Sequence, residues 1–151
     1  MSYLRQFHFQ ISGSKGGPKI VFLHGLMGSG ANWRKITPAF HQSHEILTYD
    51  QRGHGRSFHP DKGYESDDFA EDLHQILNEL GWTKPVFLVG HSLGGRNALA
   101  FTHRYPERIR KLVLEDIGPQ ANLYTTQKIE GYLESIPTPF QSKQEAKIFF
   151  E

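Results

Sequence analysis

The stretch Val89-Gly-His-Ser-Leu-Gly-Gly95 carries a serine walled in by glycines at the end of an apolar run. A hydroxyl in that setting either caps a helix or does chemistry. The run before it, Val86 to Val89, is short and continuously apolar, as in a strand buried on both faces. After it, Asn97 to Tyr105 reads as a helix that Pro106 ends. Gly90-His91-Ser92-Leu93-Gly94 therefore matches G-x-S-x-G between a strand and a helix. A chain that reverses so abruptly forces the serine into a sparsely populated backbone conformation. Side chains two residues before or after it would collide, which requires Gly90 and Gly94, and Gly95 lets the helix approach the sheet. Such a turn lifts Ser92 Oγ out at the carboxyl end of the strands, where open α/β folds bind ligands. It also offers the Leu93 N–H and a helix N-terminus to a developing negative charge. The rival glycine-rich phosphate loops need a Lys-Ser/Thr pair or a G-x-G-x-x-G run here, and neither is present.

Three more short runs read as buried strands: Ile20 to Leu23, Glu45 to Tyr49 and Lys111 to Leu114. Gln6 to Ser12 is expected to form a hairpin with the first of these, turning through residues 13–18. Phe69, Leu73, Ile76, Leu77 and Leu80 make one apolar stripe of a helix, with Ser66 as its expected N-cap and Gly81 as its stop. Strands alternating with helices predict an α/β fold with a doubly wound, mostly parallel sheet. After Asp116 the character changes. Gly118-Pro119 breaks the chain, Leu123 to Ser135 reads as a helix, and residues 137–139 break it again. Ser142 then opens a last helix that reaches Phe149 and Phe150 without a capping residue. The expected division is 1–119 as the core and 120–151 as the start of a further segment, with the sheet incomplete at its C-terminal side.

Composition narrows the function classes. The 17 Lys plus Arg nearly balance the 16 Asp plus Glu, with no long run of one sign, so capture of nucleic acid or an anionic membrane is not expected. Without cysteine there are no disulfides, thiolate nucleophiles or Cys-type zinc sites. No apolar run approaches membrane-spanning length and the N-terminus lacks a signal pattern, so the expectation is a cytoplasmic protein.

Four motifs in order, His24-Gly25-Leu-Met-Gly-Ser29, Asp50-Gln-Arg-Gly-His-Gly-Arg-Ser57, Gly90-His-Ser-Leu-Gly-Gly95 and Asp116-Ile-Gly-Pro119, resemble the α/β-hydrolase family over about the first 119 positions. The resemblance implies an eight-stranded, mostly parallel α/β-hydrolase core, a lid inserted after the sixth strand, and a Ser, acid, His triad in that chain order. It makes Ser92 the nucleophile. Leu26, rather than Met27, supplies the second oxyanion N–H beside that of Leu93, while Met27 and His91 line the substrate. Asp50 and Arg52 tie loops together. Asp116 is the expected acid, 24 positions after Ser92; in other members the acid lies one strand later. No metal or organic cofactor is implied.

The base is the gap. In the family it lies near the C-terminus, and here the last histidine is His103. His91 adjoins the nucleophile at a sharp turn, His24 sits where the oxyanion loop is braced, and His54 lies in the scaffold turn. The expectation is therefore a serine esterase or acyl hydrolase acting on a small-molecule acyl ester, whose base histidine lies outside these residues. The alternatives are C–C bond hydrolysis or acyl transfer on the same triad, and a truncated, inactive member. The 151 residues alone are expected to be inactive and, with an open sheet edge, prone to association.

Overall fold

The computed structural model describes residues 2–118, 123–137 and 139–150. They divide into two compact units, one ending at Ile117 and one beginning at Gly118. The expected boundary between 119 and 120, the Pro119 break and the residue between Pro137 and Pro139 lie outside the described residues, as do the side chains of Leu123 and Tyr124.

The first unit is built on five strands: β1 (Phe9–Gly13), β2 (Lys19–Leu23), β3 (Glu45–Tyr49), β4 (Val86–His91) and β5 (Ile109–Glu115). Their order across the sheet is β1-β3-β2-β4-β5. The last four run parallel, with Phe22 opposite Val89 and Val89 opposite Val113. β2 to β4 are legible as continuous apolar runs because both faces are covered. On one face Val21, Leu23, Leu47, Tyr49 and Leu88 pack with Leu73, Ile76 and Leu77 of helix α1 (Ser66–Glu79) and with Ala98 and Phe101 of helix α2 (Leu93–Arg104). The alternate residues Ile20, Phe22 and Ile46 point to the other face, against Trp33 and Phe40 from two 3-10 turns, Gly30–Lys35 and Thr37–Phe40. A period of two thus feeds two cores from one strand. β5 is an edge, and its Val113 and Leu114 are exposed.

The first strand corrects one expectation. β1 does not form a hairpin with β2; it pairs antiparallel with β3, Phe9 opposite Tyr49 and Gly13 opposite Glu45. Both sides of β2 are already taken by parallel neighbours, so β1 pairs instead with the outer side of β3. Gln6 belongs to a 3-10 turn, Tyr3–Gln6, rather than to the strand. A second correction is local. Glu65, not Ser66, caps α1, in a reciprocal capping box with Asp68. Gly81, with φ 69°, ends that helix region as expected.

The second unit contains α3 (Leu123–Ser135) and α4 (Lys143–Phe150). Ser142 Oγ accepts the Glu145 N–H at 3.1 Å and so opens α4. Ile129, Tyr132 and Leu133 are exposed, and the rings of Phe140, Phe149 and Phe150 lie 5.1–6.0 Å apart. Among the described residues no helix is long and apolar enough to cross a membrane.

Candidate active site

β4 ends at His91 and α2 begins at Leu93, so one residue makes the whole reversal. Ser92 does so at φ 51° and ψ −116°. Its carbonyl takes the N–H groups of Gly95 (2.9 Å) and Arg96 (3.1 Å), which fastens the first turn of α2 onto it. The glycines are required by backbone contacts. A Cβ on Gly90 would lie 2.4 Å from the Gly94 oxygen, and one on Gly94 would lie 2.4 Å from the Leu23 oxygen. At Gly95 it would meet Ile117 Cγ2 at 2.7 Å. Leu93 is the first residue of the helix, so its N–H has no intrahelical acceptor.

Sheet order places β2 and β5 on either side of β4. Past the end of β2 the chain turns through Gly25 to Gly28, closed by Gly28 N–H to Gly25 O at 3.0 Å, with Leu26 and Met27 at its centre and largely exposed. A Cβ on Gly25 would sit 3.3 Å from Ser92 Cβ and 2.8 Å from His91 Nδ1, so this turn lies against the serine. Past the end of β5, Asp116 holds an 81% exposed carboxylate whose Oδ2 is 3.7 Å from His91 Nε2. Among the described residues, the non-glycine residues with positive φ are Met27 (59°), Ser92 (51°) and Asp116 (53°). They stand just beyond the carboxyl ends of three adjacent strands. Each such conformation costs on the order of 1–3 kcal/mol, and residues held in this way cluster at working sites.

Beneath the Gly25–Gly28 turn lies a buried polar relay. The backbone N–H of Gln51 donates to His24 Nε2 at 3.0 Å, so that nitrogen carries no proton. The proton is therefore on Nδ1, which donates to the Gly25 carbonyl at 2.8 Å. Gln51 Nε2 donates to the His24 carbonyl at 2.7 Å, and Asn97 Nδ2 donates to Gln51 Oε1 at 2.9 Å. Burial pushes the His24 pKa down, as does the nearby His54, while the bond to Gly25 and the Asp50 carboxylate act in the opposite direction.

The turn after β3 is scaffold. Asp50 Oδ1 accepts the Gly30 N–H (2.8 Å) and its Oδ2 the Arg56 N–H (2.9 Å), which ties two loops together. Gly55 must lack a side chain because a Cβ there would collide with the Asp50 carboxylate. Arg52 grips Asp72 of α1 through Nε (2.6 Å) and Nη2 (2.5 Å) and gives its Nη1 to the Gly63 carbonyl (2.6 Å). Tyr3 Oη also donates to Asp72, and burial followed by that carboxylate lifts its pKa to about 12.

Ser92, Leu93, Leu26, Met27, His91 and Asp116 therefore all sit at the carboxyl ends of β2, β4 and β5. His24 has both ring nitrogens engaged, and His54 Nδ1 donates to the Arg52 carbonyl at 2.9 Å. Gln51 and Asn97 were not visible as site residues in the sequence, since only the fold brings positions 24, 51 and 97 together. Among the described residues no three His, Asp or Glu side chains gather as a metal would require. A broad depression lined by Gly17, Lys19, Trp82, Lys84 and Arg110 lies at the amino ends of the same strands, away from Ser92.

Comparison with known proteins agrees with this fold. The sn-1-specific diacylglycerol lipase of Mus musculus is 43% identical over 105 residues, covering 68% of this chain and 33% of the lipase. The 2-(acetamidomethylene)succinate hydrolase of Mesorhizobium japonicum is 35% identical over 103 residues, covering 68% of this chain and 37% of the enzyme. Among solved structures, an esterase from a marine microorganism superposes with a TM-score of 0.79 at 35% identity, over 92% of this chain and 55% of its own. The chain thus spans between a third and about half of the proteins it matches. Residues 18–148 fit the alpha/beta hydrolase fold pattern, and the chain belongs to that family.

Proposed function

We propose that these residues carry the nucleophile, the acid and the oxyanion donors of a serine-dependent carboxylic ester hydrolase. Ser92 Oγ attacks the carbonyl carbon of an acyl ester, and the carbonyl π electrons move onto oxygen. The Leu26 and Leu93 N–H groups stabilise that oxyanion; losing one such donor typically costs about a hundredfold or more in rate. An imidazole takes the serine proton and returns it to the departing alkoxide, leaving an acyl-enzyme that water hydrolyses to the carboxylic acid. Asp116 orients that imidazole. Met27 and His91 border the acyl ester.

The base comes from a histidine outside residues 1–151. Supporting this, both ring nitrogens of His24 are occupied, and His54 gives its Nδ1 to the Arg52 carbonyl. The observation that carries the reading is the coincidence of three strained residues, Met27, Ser92 and Asp116, at three neighbouring strand ends. The test is hydrolysis of a series of p-nitrophenyl esters by a polypeptide that includes these residues and the base. Ser92→Ala is expected to lower kcat by at least about a thousandfold. Hydrolysis that survives Ser92→Ala overturns the reading.

A further inference from the structure

We propose that Gln51 is a positioning residue for the oxyanion donors, clamping the Gly25–Gly28 turn to the nucleophile helix through its side-chain amide. The inference rests on the role proposed for Leu26, Ser92 and Leu93.

The geometry starts from one peptide unit. The Gly25 carbonyl accepts two donors, His24 Nδ1–H at 2.8 Å and Gly28 N–H at 3.0 Å. A trans peptide is planar, with its C=O and N–H pointing in opposite directions. Pinning the Gly25 oxygen therefore fixes the direction of the Leu26 N–H on the other side of the same bond. His24 can pin it only as the Nδ1–H tautomer, and the Gln51 backbone N–H on Nε2 enforces that tautomer.

The Gln51 side chain then holds the assembly in place. Its Nε2 donates to the carbonyl of His24, immediately before the turn, and its Oε1 accepts from Asn97. Asn97 lies four residues after Leu93 in α2, on the same face of the helix. One amide thus bridges the two backbone segments that present the two oxyanion N–H groups. His24, Gln51 and Asn97 are each about 1% exposed or less. In so dry a setting a bond left unmade is expensive, which gives the clamp stiffness. An apolar side chain of equal length would fill the volume and lose both bonds.

A glutamine serving only stability would lower the melting temperature when replaced and leave each surviving active site as fast as before. A positioning residue slows every site. The experiment compares wild type with Gln51→Met in a polypeptide that includes residues 1–151 and the base. Active sites are counted by burst titration, with kcat, KM and inhibition by a substrate-like trifluoromethyl ketone measured on the same samples. The expected result is a fall of about 10- to 100-fold in kcat per titrated site, with KM within about threefold and ketone affinity reduced in parallel with kcat/KM. Unchanged kcat per site and unchanged ketone affinity overturn the inference. Should Gln51→Met fail to fold, Asn97→Leu removes the donor to Gln51 Oε1 and cuts the same bridge at its other end; the same two outcomes decide. If wild type shows no burst and no Ser92 adduct, the proposed function fails; if it shows both and the variants keep their speed, only the role of Gln51 does.

Discussion

The amide of Ser92 donates to the carbonyl of Glu115 at 2.9 Å, one step beyond the last residue of β4. That bond ties the Ser92 turn to the residue just before Asp116, so the strained residue at 92 and the strained residue at 116 are held by one rung of the ladder. Strain of this kind persists only where surrounding structure over-determines it. Here the sheet supplies that constraint, and the site inherits its rigidity.

Relief of strain should therefore separate stability from activity. Asp116 and Met27 have exposed side chains, so little packing is lost when they are shortened. Asp116→Gly and Met27→Gly are each expected to leave stability unchanged or to raise it by up to about 1 kcal/mol. On the proposed role of Asp116 as triad acid, Asp116→Gly should at the same time lower the proposed ester hydrolysis by about a thousandfold or more. Urea denaturation and steady-state kinetics on the same samples check both. Loss of more than about 1 kcal/mol on either substitution would show that the positive-φ residues are not strained.

Gly94→Ala should be severe. The added methyl group would lie 2.4 Å from the Leu23 oxygen and 2.6 Å from that of His24, both backbone atoms that cannot rotate away. A destabilisation of about 3 kcal/mol or more is expected, at or above the usual cost of overpacking. Gly81→Ala is the contrast: nothing lies within 4 Å of its Cβ, and only its φ of 69° resists. Equal midpoints in urea for the two variants would contradict the packing described here.

The Arg52–Asp72 pair is buried and bidentate. Removing one partner strands the other charge, which typically costs about 3–5 kcal/mol. Arg52→Met should approach that value, and the double variant Arg52→Met with Asp72→Leu should recover much of it. A double-mutant cycle in urea measures this; additive losses would mean that the pair does not act as a unit.

Acid should loosen the Gly25–Gly28 turn that His24 braces. The His24 pKa is lowered in the folded protein, with burial the largest cause, whereas in the unfolded chain it titrates near its ordinary value of about 6.5. Below that pH the unfolded state binds a proton that the folded state refuses, so stability is full above about pH 6.5 and declines as pH falls toward the folded-state pKa. The slope approaches at most one proton, about 1.4 kcal/mol per pH unit. Asp50 and His54 face the same imidazole, so the comparison is with His24→Asn, which keeps a donor but does not titrate. The wild type should lose more stability than His24→Asn between pH 7 and 5.5; parallel curves would exclude this role for His24.

Much of the layout was legible where physics acts locally. The core strands declared themselves because sheet residues buried on both faces must be apolar, and the Ser92 turn did so because only glycine tolerates the contacts at 90 and 94. The loop-tying role of Asp50 and Arg52 also held. The partner of β1 was not legible, since it depends on which edges of β2 and β3 remain free. Nor were the 3-10 turns from Gly30 to Phe40, which have too few residues for a period. The strain at Met27 and Asp116 was hidden because neither is a glycine, and the His24–Gln51–Asn97 relay joins positions 73 apart at its extremes.

The most direct test is the site of attack by a fluorophosphonate on a polypeptide that contains these residues and the base. Mass spectrometry of the tryptic digest should place a single adduct on Ser92, lost in Ser92→Ala and retained in Ser14→Ala. An ester-hydrolysing preparation with Ser92 unmodified, or with the adduct on another serine, would contradict the assignment.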